Sequence, residues 1–400
     1  MNYDYDLLIG GGGLVGGSLA LALRGSSLRI GVIESVSEEQ RQAAPISERA
    51  LALAWGSVQI LDQLGVWRAA ESKATPIKHI HVSDRGHFGK VRLSAEREGV
   101  AALGYVVIAR ILEDEIARTL RCSSVAVHCP ARIIGVKAGG DGVHVSFKQG
   151  NESLNVTARL LVAADGGNST VRNLLEIGQS VRDYQQTAIV TEVATERSNG
   201  FTAFERFTES GPLAFLPLAK HNSAVVWTQR AEDAGELLAA SDADFRERLQ
   251  GVFGHWLGRI SLSAKRHGFP LKLMRAKRMT GERVVLIGNA AHQLHPVAGQ
   301  GFNLGLRDAA LLAEMLLARS GFNDDIGENA FLDRYARARE DDLSDVIRFT
   351  DGVVRVFSSE FWPLVFVRNM GLLALANWRD GQHLLARYAM GLEKRIPRLG

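Results

Sequence analysis

Residues 5–17 read Tyr5-Asp6-Leu7-Leu8-Ile9-Gly10-Gly11-Gly12-Gly13-Leu14-Val15-Gly16-Gly17. A short apolar run enters a glycine-rich turn and leaves it as a Leu/Ala-rich segment. This predicts a buried parallel strand over 5–10 and a helix over about 15–23. Residues 28–33 predict a second strand, which ends at Glu34. Together these form a β-α-β unit of about 30 residues. Its turn carries Gly11-x-Gly13-x-x-Gly16. In that context Gly11 permits a tight turn, Gly13 lets a pyrophosphate approach the backbone, and Gly16 lets the helix pack closely on the strand. The helix start, at Leu14 and Val15, offers free N–H groups and a partial positive charge to an anion. Glu34, followed by Ser35, stands 18 residues after Gly16. A carboxylate there accepts hydrogen bonds from an adenosine ribose. The stretch predicts a dinucleotide site.

Composition supports a close approach to backbone. The chain has 400 residues, 46 % hydrophobic, with 41 Gly, 9 Pro and 2 Cys. Average usage would give about 28 glycines, leaving a surplus of about 13. No Gly-X-Y period and little Pro accompany them, so the chain is neither collagen-like nor low-complexity. The length suits two domains or so. A net charge of +3 is too weak to argue for nucleic acid. Cys122 and Cys129 make no disulfide framework, which fits a reducing compartment.

Residues 7–23 carry no charge, but acidic Asp4 and Asp6 precede them and glycines interrupt them, so they read as mature protein, not a signal peptide. The apolar stretch 361–376 is broken by Pro363, Arg368 and Asn369 and is too interrupted to span a bilayer. It reads equally as core helix or as a membrane-surface contact. The expected location is the cytoplasm, with contact at the inner membrane surface an option.

Further along, 48–70 predicts a helix broken near Gly65. Residues 77–82 and 90–94 predict a hairpin around Asp84-Arg85-Gly86. A helix near 110–121 and strands near 125–128, 132–137, 143–148 and 159–164 follow. Residues 185–230 turn antiparallel, 283–288 return to the buried parallel type, and helices over 303–318 and 328–350 lead to the end. The parallel-type runs are scattered. One nucleotide-binding domain is therefore expected from 1–75, 106–180 and 276–320. A substrate hairpin at 76–105, an antiparallel substrate sheet at 181–275 and a helical region at 321–400 complete the α/β chain.

Two more segments carry chemistry. Asp165-Gly166-Gly167-Asn168-Ser169 follows a strand and precedes Val171-Arg172. Gly288-Asn289 ends another strand and leads through His292 and His295 into Pro296-Val297-Ala298-Gly299-Gln300-Gly301-Phe302-Asn303. A helix starting there aims its positive end at whatever fills the loop. His292 and His295 lack nearby Cys or carboxylates in ligand spacing, so no metal is expected.

These three segments, in order over nearly the whole chain, resemble the class A FAD-dependent aromatic hydroxylases of the para-hydroxybenzoate hydroxylase type. The resemblance is nearer still to their ubiquinone-biosynthesis branch, through Ser47-Glu48-Arg49-Ala50-Leu51-Ala52-Leu53, His81-Val82-Ser83-Asp84-Arg85-Gly86-His87 and Phe204-Glu205-Arg206-Phe207-Thr208. The last two favour the type that acts on 2-polyprenyl-6-methoxyphenol.

The resemblance implies a Rossmann-like FAD domain with an inserted antiparallel substrate domain. By position it assigns Gly11, Gly13, Gly16 and Glu34 to the ADP moiety, Arg49 and Arg110 to cofactor contacts, and Asp165, Gly166 and Arg172 to FAD and the nicotinamide donor. Gly288 and Asn289 fall at the ribityl chain. Pro296, Gly299, Gln300, Gly301, Phe302 and Asn303 fall along the flavin ring, with Pro296, Gly299 and Gly301 placing it. Asn289 stands where the wider family has Asp, and Ile108-Ala109 replace more polar residues before Arg110.

The implied reaction uses NADPH or NADH and O2. A flavin C4a-hydroperoxide forms and passes oxygen to a hydrophobic prenylated phenol. A biosynthetic complex, a homo-oligomer and peripheral membrane contact are the partners implied. A sister hydroxylase of the pathway and a flavin-dependent reductase on the same fold stay open as alternatives. His221, Tyr184 and Arg206 lie in the substrate region, and the sequence names none of them as the group that activates the phenol.

Overall fold

A computed structural model describes residues 3–43, 49–294, 299–319, 324–357 and 362–399. Tyr5–Gly10 lies inside a parallel run. It pairs with Ile30–Ile33 on one side and with the second half of Glu152–Ala163 on the other. Val284–Leu286 adds beyond Glu152–Ala163, and Ala126–His128 adds beyond Ile30–Ile33. The sheet is thus assembled from distant segments, as the scattered apolar runs predict. Leu7, Leu8, Ile9, Val32, Leu160, Leu161, Val162 and Val284 are fully buried. At about 1.5–3 kcal/mol for each large apolar side chain taken from water, these strands supply much of the driving force for the domain. The first half of Glu152–Ala163 runs antiparallel to Gly142–Gln149, which pairs with Arg132–Gly139.

Helix Leu14–Leu23 packs against helices Ala109–Arg121 and Gln300–Leu317. It is buried on nearly every side, which explains why residues 7–23 carry no charge: both the strand and the helix are core.

One predicted element is corrected. Residues 50–54 fall in the expected helix 48–70, yet Ala50–Ala54 is a strand. It pairs antiparallel with Gly104–Ile108, which pairs in turn with Thr75–Ile77. The alternation of Ala and Leu suits period two as well as a helix, and the partner strand decides. A Cβ at Gly104 would stand 2.2 Å from the Leu53 carbonyl oxygen, so the two backbones meet only because residue 104 is glycine. Helices Trp55–Gln63 and Trp67–Ala70 follow, with the expected break at Gly65 (φ +75°).

The second sheet has nine strands, with Gln179–Thr195 between Asn222–Arg230 and His267–Ala276. The predicted hairpin exists as His79–Asp84 and Lys90–Ser94, and it joins Thr202–Thr208 through a parallel pair. Helices Ala231–Ala239 and Asp242–Phe253 lie where the antiparallel pattern alone predicts no helix. They cover one face of the sheet, burying Ile189, Val193, Leu213, Phe215, Val225 and Trp227. The opposite face turns to the nucleotide-binding domain, where Ala203 and Leu216 pack with Ile77, Val106 and Ala50. His292–Gln293 pairs with Met274 and Arg275, so this sheet continues past residue 275.

Helices Asn329–Phe357, Trp362–Asn377 and Arg379–Ala389 close the chain. Buried Asp84 ties them to the hairpin. It accepts from Arg368 Nε at 2.8 Å and from Asn369 Nδ2 at 3.0 Å. Removing one partner of a buried ion pair costs about 3–5 kcal/mol, because the other is left without its countercharge. Asp84→Ala is expected to lower stability by about that much. A urea midpoint shifted down at constant slope would report it, and an unchanged midpoint would refute it.

Candidate functional site

The three glycine-bearing segments meet at the carboxyl ends of the parallel strands, beside the switch point at Tyr5–Gly10. Open α/β sheets bind ligands in that crevice. Each glycine of the first segment has its own constraint. Gly11 sits at φ +100°, and a Cβ there would stand 2.5 Å from the Ala164 carbonyl oxygen. A Cβ at Gly16 would fall 2.0 Å from the Gly11 oxygen. Gly13 is different: a Cβ there meets nothing within 4 Å. The first two glycines are therefore required by the protein's own packing, whereas the third keeps an outside space clear.

Helix Leu14–Leu23 begins at Gly13 with no side-chain cap and no acidic residue in its first turn. Its free N–H groups face that space with the positive end of the dipole. Glu34 closes the turn. Its carboxylate accepts from Gly12 N at 2.6 Å and from Val36 N at 2.7 Å. Two acceptor sites remain on a carboxylate so engaged. Ser35 beside it is exposed.

The second segment stands directly against the first, since Asp165 Cα is 2.9 Å from the position of a Gly11 Cβ. Asp165 Oδ2 accepts from Val171 N at 3.1 Å, while Oδ1 is buried without a hydrogen-bond partner among the described residues. Gly166 (φ +85°) borders open space. Arg172 departs from the expected cofactor contact. It is buried and donates Nη1 to Ala290 O at 2.9 Å and Nη2 to Gly167 O at 2.8 Å. Two of its nitrogens thus space the second and third segments, while its buried Nε has no partner among the described residues.

In the third segment, Gly288 (φ +58°) packs on Val15, and Asn289 next to it is exposed. Helix Gln300–Leu317 starts from Gly299 in the left-handed region, without a side-chain cap and without acid in its first turn. Gly301 borders open space, Gln300 is buried, and Phe302 packs on the core. Pro296 and His295 lie outside the described residues, as do Ser47 and Glu48. Asn303 also departs from expectation. Its Oδ1 accepts from Ala54 N, and its Nδ2 donates to Ala52 O and Gly299 O, all near 3.0 Å. The amide holds strand Ala50–Ala54 to the helix start with both Nδ2 hydrogens and one Oδ1 lone pair.

That strand carries Arg49 to the rim. Ala109 N donates to Arg49 O at 3.0 Å, which sets Arg49 beside Arg110. Arg49 Nε is buried with no partner among the described residues, and burial lowers its pKa against the pull of Glu113. A buried guanidinium N–H and a buried carboxylate oxygen left unmatched at one crevice each cost free energy that a polar ligand would recover. With a bare anion space at Gly13, two helix starts and a carboxylate at the ribose position, the donor set fits FAD.

The sequence reading missed Asp308. It is fully buried, and its Oδ2 accepts from Gly288 N at 2.8 Å and from His292 Nε2 at 2.6 Å. Its Oδ1 accepts from Arg339 Nε at 2.7 Å. Burial pushes its pKa up, but His292, Arg339 and the hydrogen bonds outweigh burial and hold it at about 2. An acid inside the apolar face of a glycine-started helix was the available signal. His292, weighed earlier as a metal ligand, is thereby explained as a partner of this carboxylate.

The remaining candidates separate. Tyr184 donates to Asp351 at 2.7 Å, His221 Nδ1 bonds Thr195 O, and Arg206 alternates onto the helix-covered face with Phe204. Strand alternation instead brings Glu205 and Glu192 to the face turned toward the nucleotide-binding domain, among Ala203, Ala214, Ala224 and Val226.

Comparison with known proteins agrees with this geometry. A family profile described as FAD binding domain matches residues 4–350. A protein of Rhodospirillum rubrum named ubiquinone hydroxylase UbiL is 37 % identical over 98 % of this chain and 91 % of its own. The Escherichia coli 3-demethoxyubiquinol 3-hydroxylase is 29 % identical over 98 % of this chain and all of its own. The p-nitrophenol 4-monooxygenase PnpA of Pseudomonas putida shares the fold, with a TM-score of 0.81 over 99 % of this chain and all of its own at 19 % identity.

Two outcomes are expected. Gly13→Val fills the open space without touching the protein, so the variant should fold with an unchanged far-UV spectrum and purify without yellow colour. Gly139→Ala, equally open but in a distant hairpin, should keep FAD. A yellow Gly13→Val protein would refute the anion space.

The Asp308 carboxylate has a pKa below its ordinary 3.8. It therefore stabilises the fold fully above that value and loses its contribution as pH falls toward about 2. Asp308→Asn should be less stable at neutral pH and should show a shallower loss of stability below pH ~4. Acid titration of thermal midpoints for both proteins measures this.

Proposed function

The chain belongs to the FAD-binding-domain family of flavin-dependent aromatic monooxygenases, and from that premise we propose that it hydroxylates the ring of a polyprenylated methoxyphenol, 2-polyprenyl-6-methoxyphenol, in ubiquinone biosynthesis. Bound in this crevice, FAD would supply the redox chemistry: with NAD(P)H as reductant and O2 as oxidant, one oxygen atom would enter the phenol ring and the other would leave as water. The carrying observation is the end-to-end similarity to ubiquinone-pathway hydroxylases, joined to the fit of the crevice to FAD.

This chain's own residues bind, orient and exclude water. Gly13 and the two helix starts would hold the pyrophosphate and the electron-rich side of the ring, while Glu34 would hold the ribose. Arg172 ties the second segment to the third, Asn303 ties strand Ala50–Ala54 to the third, and Asp308 ties Gly288 to helix Gln300–Leu317. The substrate sheet turns an apolar face inward, which keeps water from the reacting atoms. Glu205 and Glu192 are the carboxylates on that face able to take a phenolic proton.

A second reading has a specific motive. The full-length similarity to a 3-demethoxyubiquinol 3-hydroxylase allows another position on the same ring. Lipid extracts of a strain deleted for the gene separate the two. The proposal expects 2-polyprenyl-6-methoxyphenol to accumulate and ubiquinone to fall. A demethoxyquinone accumulating instead supports the second reading, and normal ubiquinone overturns both.

A further inference from the structure

Helix Trp362–Asn377 is fastened to the molecule by a narrow strip. Asn369 and Leu372 are buried, and Arg368, the helix's one charged residue, is drawn inward onto Asp84. The other side is apolar and faces water. Trp362 is 76 % exposed, Phe366 57 %, Val367 62 % and Met370 43 %. With Leu373, positions 362, 366, 370 and 373 recur at helical spacing and form one stripe. The hairpin tip extends it: Gly89 N donates to Asn369 Oδ1 at 2.9 Å, which fixes exposed Phe88 beside the helix. Trp378, just past the C-terminal end of this helix, and Leu384 on the next helix are exposed too.

A helix facing water normally carries charge on its outer face, and a contiguous exposed apolar patch marks an interaction surface. Two features choose the occupant. Tryptophans stand at both ends of the stripe, and an indole, apolar in body with one N–H, suits the boundary between lipid headgroups and acyl chains. The exposed charges on the hairpin 79–94 and helix Arg379–Ala389 are also mainly basic: Arg85, Lys90, Arg92, Arg379 and Arg387 against Asp380. That balance attracts anionic headgroups, whereas a second copy of the same basic face would be repelled.

We propose that this face seats the protein on an anionic bilayer, with the helix parallel to the surface and the stripe in the upper acyl layer. No helix among the described residues is long and apolar enough to cross a membrane, so the contact is one of surface seating. The proposal rests on the reading above for its purpose, since a prenylated phenol resides in the bilayer, but not for its test.

FAD-loaded protein is sedimented with vesicles of phosphatidylcholine containing one third phosphatidylglycerol, and with phosphatidylcholine alone. Binding is expected on the anionic vesicles, weakened by salt, together with a blue shift of tryptophan emission. The double variant Trp362→Ser/Phe366→Ser, and separately Phe88→Ser on the hairpin, should bind at least tenfold more weakly. Flavin absorbance, thermal midpoint and turnover of a short-chain soluble phenol should stay unchanged. Absence of vesicle binding by the unaltered protein, or undiminished binding by both variants, overturns the proposal. So does a dimer in light scattering that the variants abolish while vesicles are ignored. Vesicle binding combined with the wrong precursor in the deletion strain would overturn the substrate assignment and leave the docking face standing.

Discussion

One buried carboxylate joins parts of the chain that otherwise have little reason to meet. Asp308 receives the Gly288 N–H from the end of a parallel strand, His292 from the short strand that enters the second sheet, and Arg339 from helix Asn329–Phe357. Tyr335 adds a bond to its main-chain oxygen at 3.2 Å. An ion taken wholly out of water is costly unless its lone pairs are filled, and here three donors fill them. Because the cost is recovered only when all three elements are in place, Asp308 acts as a check on assembly. The strand end that meets the cofactor is in this way tied to helix Asn329–Phe357 through one carboxylate.

The cofactor crevice follows the opposite rule. At the carboxyl ends of the parallel strands the chain leaves buried polar groups open beside a space that a ligand can fill. Asp165 Oδ1 and Arg49 Nε have no partner among the described residues, two helix starts carry no cap, and Gly13 keeps a volume clear of side chains. The unmet hydrogen bonds of the protein and the polar groups of the dinucleotide are complementary, so binding recovers free energy that folding leaves unrealised. The surplus of glycine is explained in part by this arrangement. Some glycines admit neighbouring backbone and others admit the ligand, and only the structure separates Gly16 from Gly13.

Local features were legible in the sequence and long-range ones were not. The β-α-β unit, its three glycines and Glu34 lie within 30 residues, where spacing alone fixes geometry. Ala50–Ala54 was misread because its pattern fits two periods and its partner lies about 50 residues away. Arg172 and Asn303 look like ligand contacts in sequence because they sit inside ligand-binding motifs. Their real partners, Ala290 and Ala52, are 118 and 251 residues distant. The roles of Asp308 and Asp84 are not legible for the same reason: a buried charge is recognised by its countercharges, and spacing along the chain does not reveal them. Glu205 and Glu192 needed the register of the second sheet before either had a face.

The same long-range pairing connects the proposed docking face to the substrate sheet. Asp84 ends the strand His79–Asp84, whose parallel partner Thr202–Thr208 carries Glu205 toward the nucleotide-binding domain. Arg368 and Asn369 hold that strand end from the outer helix, and Phe357 stacks on Phe207 of the partner strand at 3.9 Å between ring centres. Helix Trp362–Asn377 is therefore joined to the sheet directly through the Asp84 pair and indirectly through Arg368, which donates to the Phe357 carbonyl oxygen of helix Asn329–Phe357. The proposed docking helix and the inward face of the second sheet are in this way joined through packed side chains. That arrangement suits the proposed substrate, whose ring would reach the flavin while its chain stayed in an apolar phase.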